Sequence, residues 1–143
     1  MTDQARPVDI GRAFIVAFGR RDMATVAGYV DDDIIFESPM TKTAGAAAYQ
    51  QAVGSFAELV SGVEIIAAAG DDEQAKILYD MATVPFGTLK AAEYLVIRGG
   101  KITTDLLVFD THELRKAQTS AQEHPPVSGA GNPAPEQRAS HAA

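Results

Sequence analysis

The sequence predicts an α+β fold in which helices pack on a bent antiparallel sheet. Two observations carry that prediction. Apolar residues recur at helical spacing through the first sixty or so positions. Strand-like runs follow between 63 and 110, joined by turns too short for crossover helices, so neighbouring strands pair antiparallel. The element order is α-α-β-α-β-β-β-β, with no internal repeat.

Each element has a local reason. Ile10, Phe14, Ala17 and Phe18 form the stripe of a first helix, opened by Pro7 or Asp9. Asp22 is an N-cap for a short second helix whose apolar face is Met23, Val26, Ala27 and Val30. Asp31-Asp32-Asp33 marks a turn, and Ile34–Glu37 reads as a strand that stops near Pro39. Beyond the polar stretch Met40–Thr43, a third helix carries Tyr49, Ala52, Val53, Phe56 and Val60 on one stripe, and Gly62 follows its end. The strands Val63–Ala69, Gln74–Val84, Thr88–Arg98 and Lys101–Asp110 are bounded by Gly70-Asp71-Asp72, Pro85-Phe86-Gly87 and Gly99-Gly100.

Residues 116–143 differ in composition. Their only branched aliphatic is Val127, and they hold Pro125, Pro126, Pro133 and Pro135. Such a stretch buries too little apolar area to offset the entropy of ordering it. The sequence therefore divides into a domain over 1–115 and a disordered Pro/Ala-rich tail over 116–143.

Composition excludes several functions. The chain has 143 residues, no Cys, and three His, which are His112, His124 and His141. No disulfide, thiolate metal site or Cys nucleophile is possible, and no His pair has ligand spacing, so no metal and no cofactor is expected. The net charge of −7 argues against a nucleic-acid partner. No apolar run approaches the roughly 18 residues of a membrane span. Met1–Asp9 lacks the layout of a signal peptide, so a cytoplasmic protein is expected.

Four segments, in this order and spacing, resemble the nuclear transport factor 2-like superfamily: VDDDIIFESP (Val30–Pro39), AGAAAYQ (Ala44–Gln50), AAEYLVIRGGKI (Ala91–Ile102) and LLVFD (Leu106–Asp110). Its members include SnoaL-like polyketide cyclases, ketosteroid isomerases, scytalone dehydratases and limonene epoxide hydrolases. The resemblance covers about residues 8–112. It implies a cone-shaped curved sheet, an open pocket between helices and sheet, and a dimer. Fold alone does not fix the reaction.

Side chains alternate along a strand, so one anchor sets a face. The resemblance places Asp105, Leu107 and Phe109 toward the pocket. It does the same for Leu89, Ala91, Glu93, Leu95 and Ile97, for Leu78, Asp80 and Ala82, and for Ile34, Phe36 and Ser38. Glu37 faces away. Three carboxyls, Glu93, Asp80 and Asp105, thus fall on otherwise apolar faces. Desolvation and mutual repulsion raise the pKa of such groups, and a carboxyl kept partly neutral can both donate and accept a proton. The competing reading is structural, with ion pairs across the sheet to Lys76, Lys90 or Arg98. For Asp105 a one-residue slip would reverse the facing. Tyr49 and Tyr79 read as core, each with a hydroxyl available to a ligand.

The known catalytic sets are not intact. The ketosteroid isomerase pattern puts a Tyr, an acid and an Asp base at the positions of Phe14, Glu93 and Ser38, and only the acid is kept. The limonene epoxide hydrolase Asp falls on Leu107, no Arg lies in Lys76–Val84, and Asp80 alone matches its second Asp. SnoaL-like cyclases use a pocket His, and His112 is the only His before the tail. Two functions remain open. One is a cofactor-free acid–base enzyme (isomerase, dehydratase or cyclase type) acting on a small apolar organic molecule. Glu93 leads it, Asp80 and Asp105 assist, and Phe14, Phe36, Ser38, Phe56, Leu107 and Phe109 line the substrate site. The other is a non-catalytic ligand-binding or dimeric scaffold module. Under either, the outer sheet face (Tyr94, Val96, Ile102, Leu106, Val108) is the expected homodimer interface.

Overall fold

The structure, a computed structural model, describes residues 5–123. Its elements are α1 (Pro7–Gly19), α2 (Met23–Tyr29), β1 (Val30–Glu37), β2 (Lys42–Ala44), α3 (Ala46–Ala57), β3 (Val60–Gly70), β4 (Gln74–Thr83), β5 (Gly87–Arg98), β6 (Lys101–Phe109) and α4 (His112–Glu123). One compact unit ends at Asp110, and α4 belongs to a second. The expected element order stands, with β2 and α4 added. The first part of the segment read as a tail, 116–123, is helical; positions 124–143 lie outside the described residues.

Local chemistry sets the helix ends. Pro7 sits in the first turn of α1, where its missing N–H is not needed. Asp22 caps α2, its Oδ1 accepting the Thr25 N–H at 3.2 Å. Helix α3 stops at Ala57, so Val60 is not its last apolar residue but the first of β3, fully buried and paired with Thr83. Its β-branched side chain suits the pleat better than a helix end. Asp31–Asp33, expected as a turn, belong to β1. The β1–β6 register shifts between Val30 and Ile35, and the Asp33 N–H bonds Asp31 Oδ2 at 2.9 Å. This irregular start keeps the chain extended while Asp32 and Asp33 remain in water.

The six strands form one open sheet in the order β2-β1-β6-β5-β4-β3. It is mixed, not wholly antiparallel, because β1 pairs with β6 in parallel. Short turns dictate only the pairing of consecutive strands. Most of the domain lies between β1 and β6, so nothing local fixes their relative direction. The β5–β6 hairpin turns on Gly99 and Gly100, both at positive φ (59° and 79°), as a two-residue turn matched to strand twist requires.

Two facing predictions are corrected by register. In β4 the inward residues are Ala75, Ile77, Tyr79, Met81 and Thr83, all buried. The resemblance had selected Leu78, Asp80 and Ala82, one residue out of phase. Tyr79 pairs with Ala91, which fixes the odd-numbered residues to the same face as Glu93. In β6, Asp105, Leu107 and Phe109 face inward as expected. Ile102, expected outside, is fully buried, because a register shift between Val96 and Ile97 leaves Thr103 as an extra residue and turns Ile102 over.

Helix α1 lies against the inner face through two glycines. A Cβ at Gly11 would meet Ile77 Cδ1 at 2.7 Å, and one at Gly19 would meet Val63 Cγ2 at 2.5 Å. The Ile77 methyl is the flexible end of a side chain, whereas Val63 is stiff at χ1 and cannot yield. Gly19→Ala is therefore expected to destabilise the protein by about 1–3 kcal/mol despite the better helix propensity of Ala. In a double-mutant cycle read by urea unfolding, Gly19→Ala together with Val63→Ala should cost less than the two single changes added. Strict additivity would refute the clash.

Candidate active site

Helices α1 and α3, the segment after β1 and the inner sheet face enclose a cavity of about 380 Å³. Phe14 reaches it from α1, Phe36 from β1, Phe56 from α3, and Leu107 and Phe109 from β6. Ser38 lines it just past the end of β1. All six expected substrate-contact residues therefore line this one space. Met40, Thr41 and Ser55, which are exposed, mark its mouth. The Phe56 and Phe109 rings stack at 5.8 Å with a 42° tilt.

Glu93 and Asp105 both line the cavity, and both are buried. Register brings them together. Glu93 lies opposite Leu107 and Asp105 opposite Leu95, so the two acids are diagonal neighbours on adjacent strands. Asp80 is elsewhere. It stands on the outer face opposite Lys90, with Oδ1 2.6 Å from Lys90 Nζ, so the pocket role expected for it is replaced by an ion pair across the sheet.

Two tyrosines complete the cluster. Tyr79, diagonal to Glu93 across β4 and β5, donates its hydroxyl to Glu93 Oε1 at 2.8 Å. Tyr49 on α3 donates to Asp105 Oδ2 at 3.0 Å. The Tyr49 ring meets Phe36 edge-on (centroids 5.1 Å apart, planes at 90°), and Phe36 pairs with Asp105 across β1 and β6. Phe36 thereby aims the hydroxyl that reaches the acid. Sequence reading treated Tyr49 and Tyr79 as core with hydroxyls to spare for a ligand. The missed signal is that a buried phenol needs a partner, and Tyr79 shares its face with an acid two positions away diagonally.

The four groups balance only with one added proton. Two ionised carboxylates are acceptors alone, and Asp105 Oδ1 is then buried without a donor. A proton on one acid allows a direct Glu93–Asp105 hydrogen bond. Desolvation pushes both acids above the ordinary carboxyl range, and Asp105 well above it because the Glu93 charge adds to burial. Hydrogen bonds from Asp105 and Tyr79 pull Glu93 back down. The pair therefore titrates as one unit that retains a proton above the ordinary carboxyl range. Burial, followed by the nearby acids, holds both tyrosines well above the ordinary phenol range, so they remain donors. The site thus presents one neutral carboxyl and one carboxylate side by side in an apolar cavity. Among the described residues no His, Cys, Asp or Glu cluster is arranged to hold a metal, and no helix is long and apolar enough to cross a membrane.

Residues 11–104 match the family described as SnoaL-like domain. No curated protein matches the sequence. Among solved structures, a protein from Kribbella flavida DSM 17836 is similar at 29% identity and TM-score 0.78, covering 84% of this chain and 99% of that one. An NTF2-like protein from Cytophaga hutchinsonii is 18% identical with TM-score 0.68 over 80% and 99% of the two chains. An LEH-like epoxide hydrolase from M. tuberculosis is 18% identical with TM-score 0.65 over 84% and 96%.

The buried proton couples stability to pH. A carboxyl whose folded pKa is raised contributes stability that is full below its unfolded value of about 3.9 and is lost as pH rises through the folded value. Asn at 105 would reproduce the neutral acid, with an oxygen for Tyr49 and an amide N–H for Glu93. Asp105→Asn is expected to raise the melting temperature relative to the parent at about pH 8 and to flatten its decline above about pH 4. An unchanged pH slope in thermal melts would contradict the shared proton.

Proposed function

We propose that this chain, which belongs to the SnoaL-like domain family, is an acid–base enzyme acting on a small apolar organic molecule without a cofactor. The observation that carries this reading is the meeting of two buried carboxyls, Glu93 and Asp105, on adjacent strands in an apolar, aromatic cavity, where burial favours their sharing one proton. Phe14 supplies no donor and Ser38 no base, so the pair performs both halves of the chemistry. The Glu93 carboxylate takes a proton from the substrate as the Asp105 carboxyl gives one to a developing oxyanion or leaving oxygen. The pair carries one proton before and after, and transfer from Glu93 back to Asp105 resets it. Isomerisation, dehydration and cyclisation each need this exchange. Similarity in fold to an epoxide hydrolase supports a small organic substrate.

A non-catalytic ligand binder is the second reading. It is favoured by the tyrosine already bonded to each acid, which makes the cluster self-sufficient once the proton is in place. Under both readings we propose a homodimer through the outer sheet face, where Leu78, Leu106 and Val108 are exposed around a shallow apolar depression that Tyr94 also lines. Ile102 is no part of it.

Small ketones, epoxides and alcohols found to bind by thermal shift would be tested for turnover. Glu93→Gln is expected to keep binding and to lower kcat by about 10²–10⁴-fold. Bound ligands that the parent never converts would favour the binding module. For the interface, Leu106→Asp with Val108→Asp is expected to convert a dimer to a monomer in sedimentation velocity; an unchanged sedimentation coefficient would rule that face out.

A further inference from the structure

The donor and acceptor inventory of the cavity is lopsided. Glu93 and Asp105 bring four carboxyl oxygens, and the buried donors facing them are the hydroxyls of Tyr49 and Tyr79. Asp105 Oδ1 is buried without a donor while the acids are ionised. No Lys, Arg or His is among the lining residues. Elements α1 and β1 present Phe14, Phe18 and Phe36, and β6 adds Leu107 and Phe109 beside Asp105. The titratable groups facing the acids are thus Tyr49 from α3 and Tyr79 from β4.

Three ligand classes meet this wall differently. An anion would be repelled by the acidic pair and would find no cation in the lining. A neutral carbonyl brings acceptors alone to a site short of donors. An ammonium group brings several donors and a positive charge, and aromatic faces attract it further.

We propose that the cavity takes a compact apolar molecule bearing a basic nitrogen, bound as its ammonium form against Glu93 and Asp105. This goes beyond the acid–base reading and rests only on its premise that the pair is the working centre; with an amine bound, the ammonium N–H groups take the place of the Asp105 proton. In the empty cavity the shared proton supplies the missing donor, and the ammonium group replaces it. Both acids are ionised in the complex, so binding releases one proton, and affinity tightens as pH rises through the range in which the free pair holds that proton.

The test uses three probes of one shape in isothermal titration calorimetry with the full chain: 1-naphthylmethylamine, 1-naphthalenemethanol and 1-naphthoate. At about pH 8 the amine is expected to bind at least about tenfold more tightly than the alcohol, and the carboxylate not at all. Its affinity should be weaker at about pH 5, and titrations in buffers of different ionisation enthalpy should show proton release. The Glu93→Gln, Asp105→Asn double variant should lose the preference for the amine. The parent's proton release decides the matter even if that variant fails to fold. Alcohol binding as tight as the amine, no proton release, or no binding by any probe would overturn the proposal. None of these outcomes bears on loss of turnover in Glu93→Gln, which alone judges the acid–base reading.

Discussion

Two carboxyls buried side by side in an apolar cavity cannot both stay ionised, and the architecture around Glu93 and Asp105 follows from that constraint. The cost of removing a carboxylate from water is several kcal/mol, so the pair persists only where hydrogen bonds and a retained proton offset it. Tyr79 and Tyr49 supply two of those bonds from opposite walls. The proton supplies the third. Removing any member leaves another buried polar atom without its partner, so the four groups stand or fall together.

That cluster ties the layers of the domain to one another. Glu93 and Asp105 become neighbours through the β5–β6 register, and Tyr79 through β4–β5. Tyr49 adds α3, and its ring is set by Phe36 on β1. Helix α1 closes the other side, and it comes close enough to do so because Gly11 and Gly19 carry no side chain. The same elements that bury the acids therefore leave the space beside them. A cavity with aromatic walls and one charged end is what remains when α1 and α3 lean on a curved sheet without filling it.

Much of the fold was legible in the residues. Helical stripes, the Asp22 cap and the Gly99-Gly100 turn are local signals, and each appears where expected. The facing of β5 and of the end of β6 was also recoverable once an anchor was chosen. Asp80 shows why the rest was not. Alternation has two phases, and composition does not choose between them when both faces are apolar. The pairing of Asp80 with Lys90 settled the phase of β4 and sent that acid outward. Ile102 was misplaced for a related reason, since the extra residue at Thr103 has no signature in the sequence. The parallel β1–β6 pairing joins segments some seventy residues apart, beyond any local rule.

The sequence by itself determined three of the four helices and five of the six strands in their order, the absence of thiol chemistry, and the short set of acids able to reach a pocket. Periodicity and turn chemistry act over a few residues and are written in the chain. Tertiary structure alone decided that Glu93 and Asp105 meet, that Asp80 does not join them, and that Tyr49 and Tyr79 each complete one acid. Those outcomes depend on strand register and helix placement, where a shift of one residue changes which side chains share a face. The number of protons at the site follows from that meeting, because a pKa is set by neighbours and burial and not by residue type.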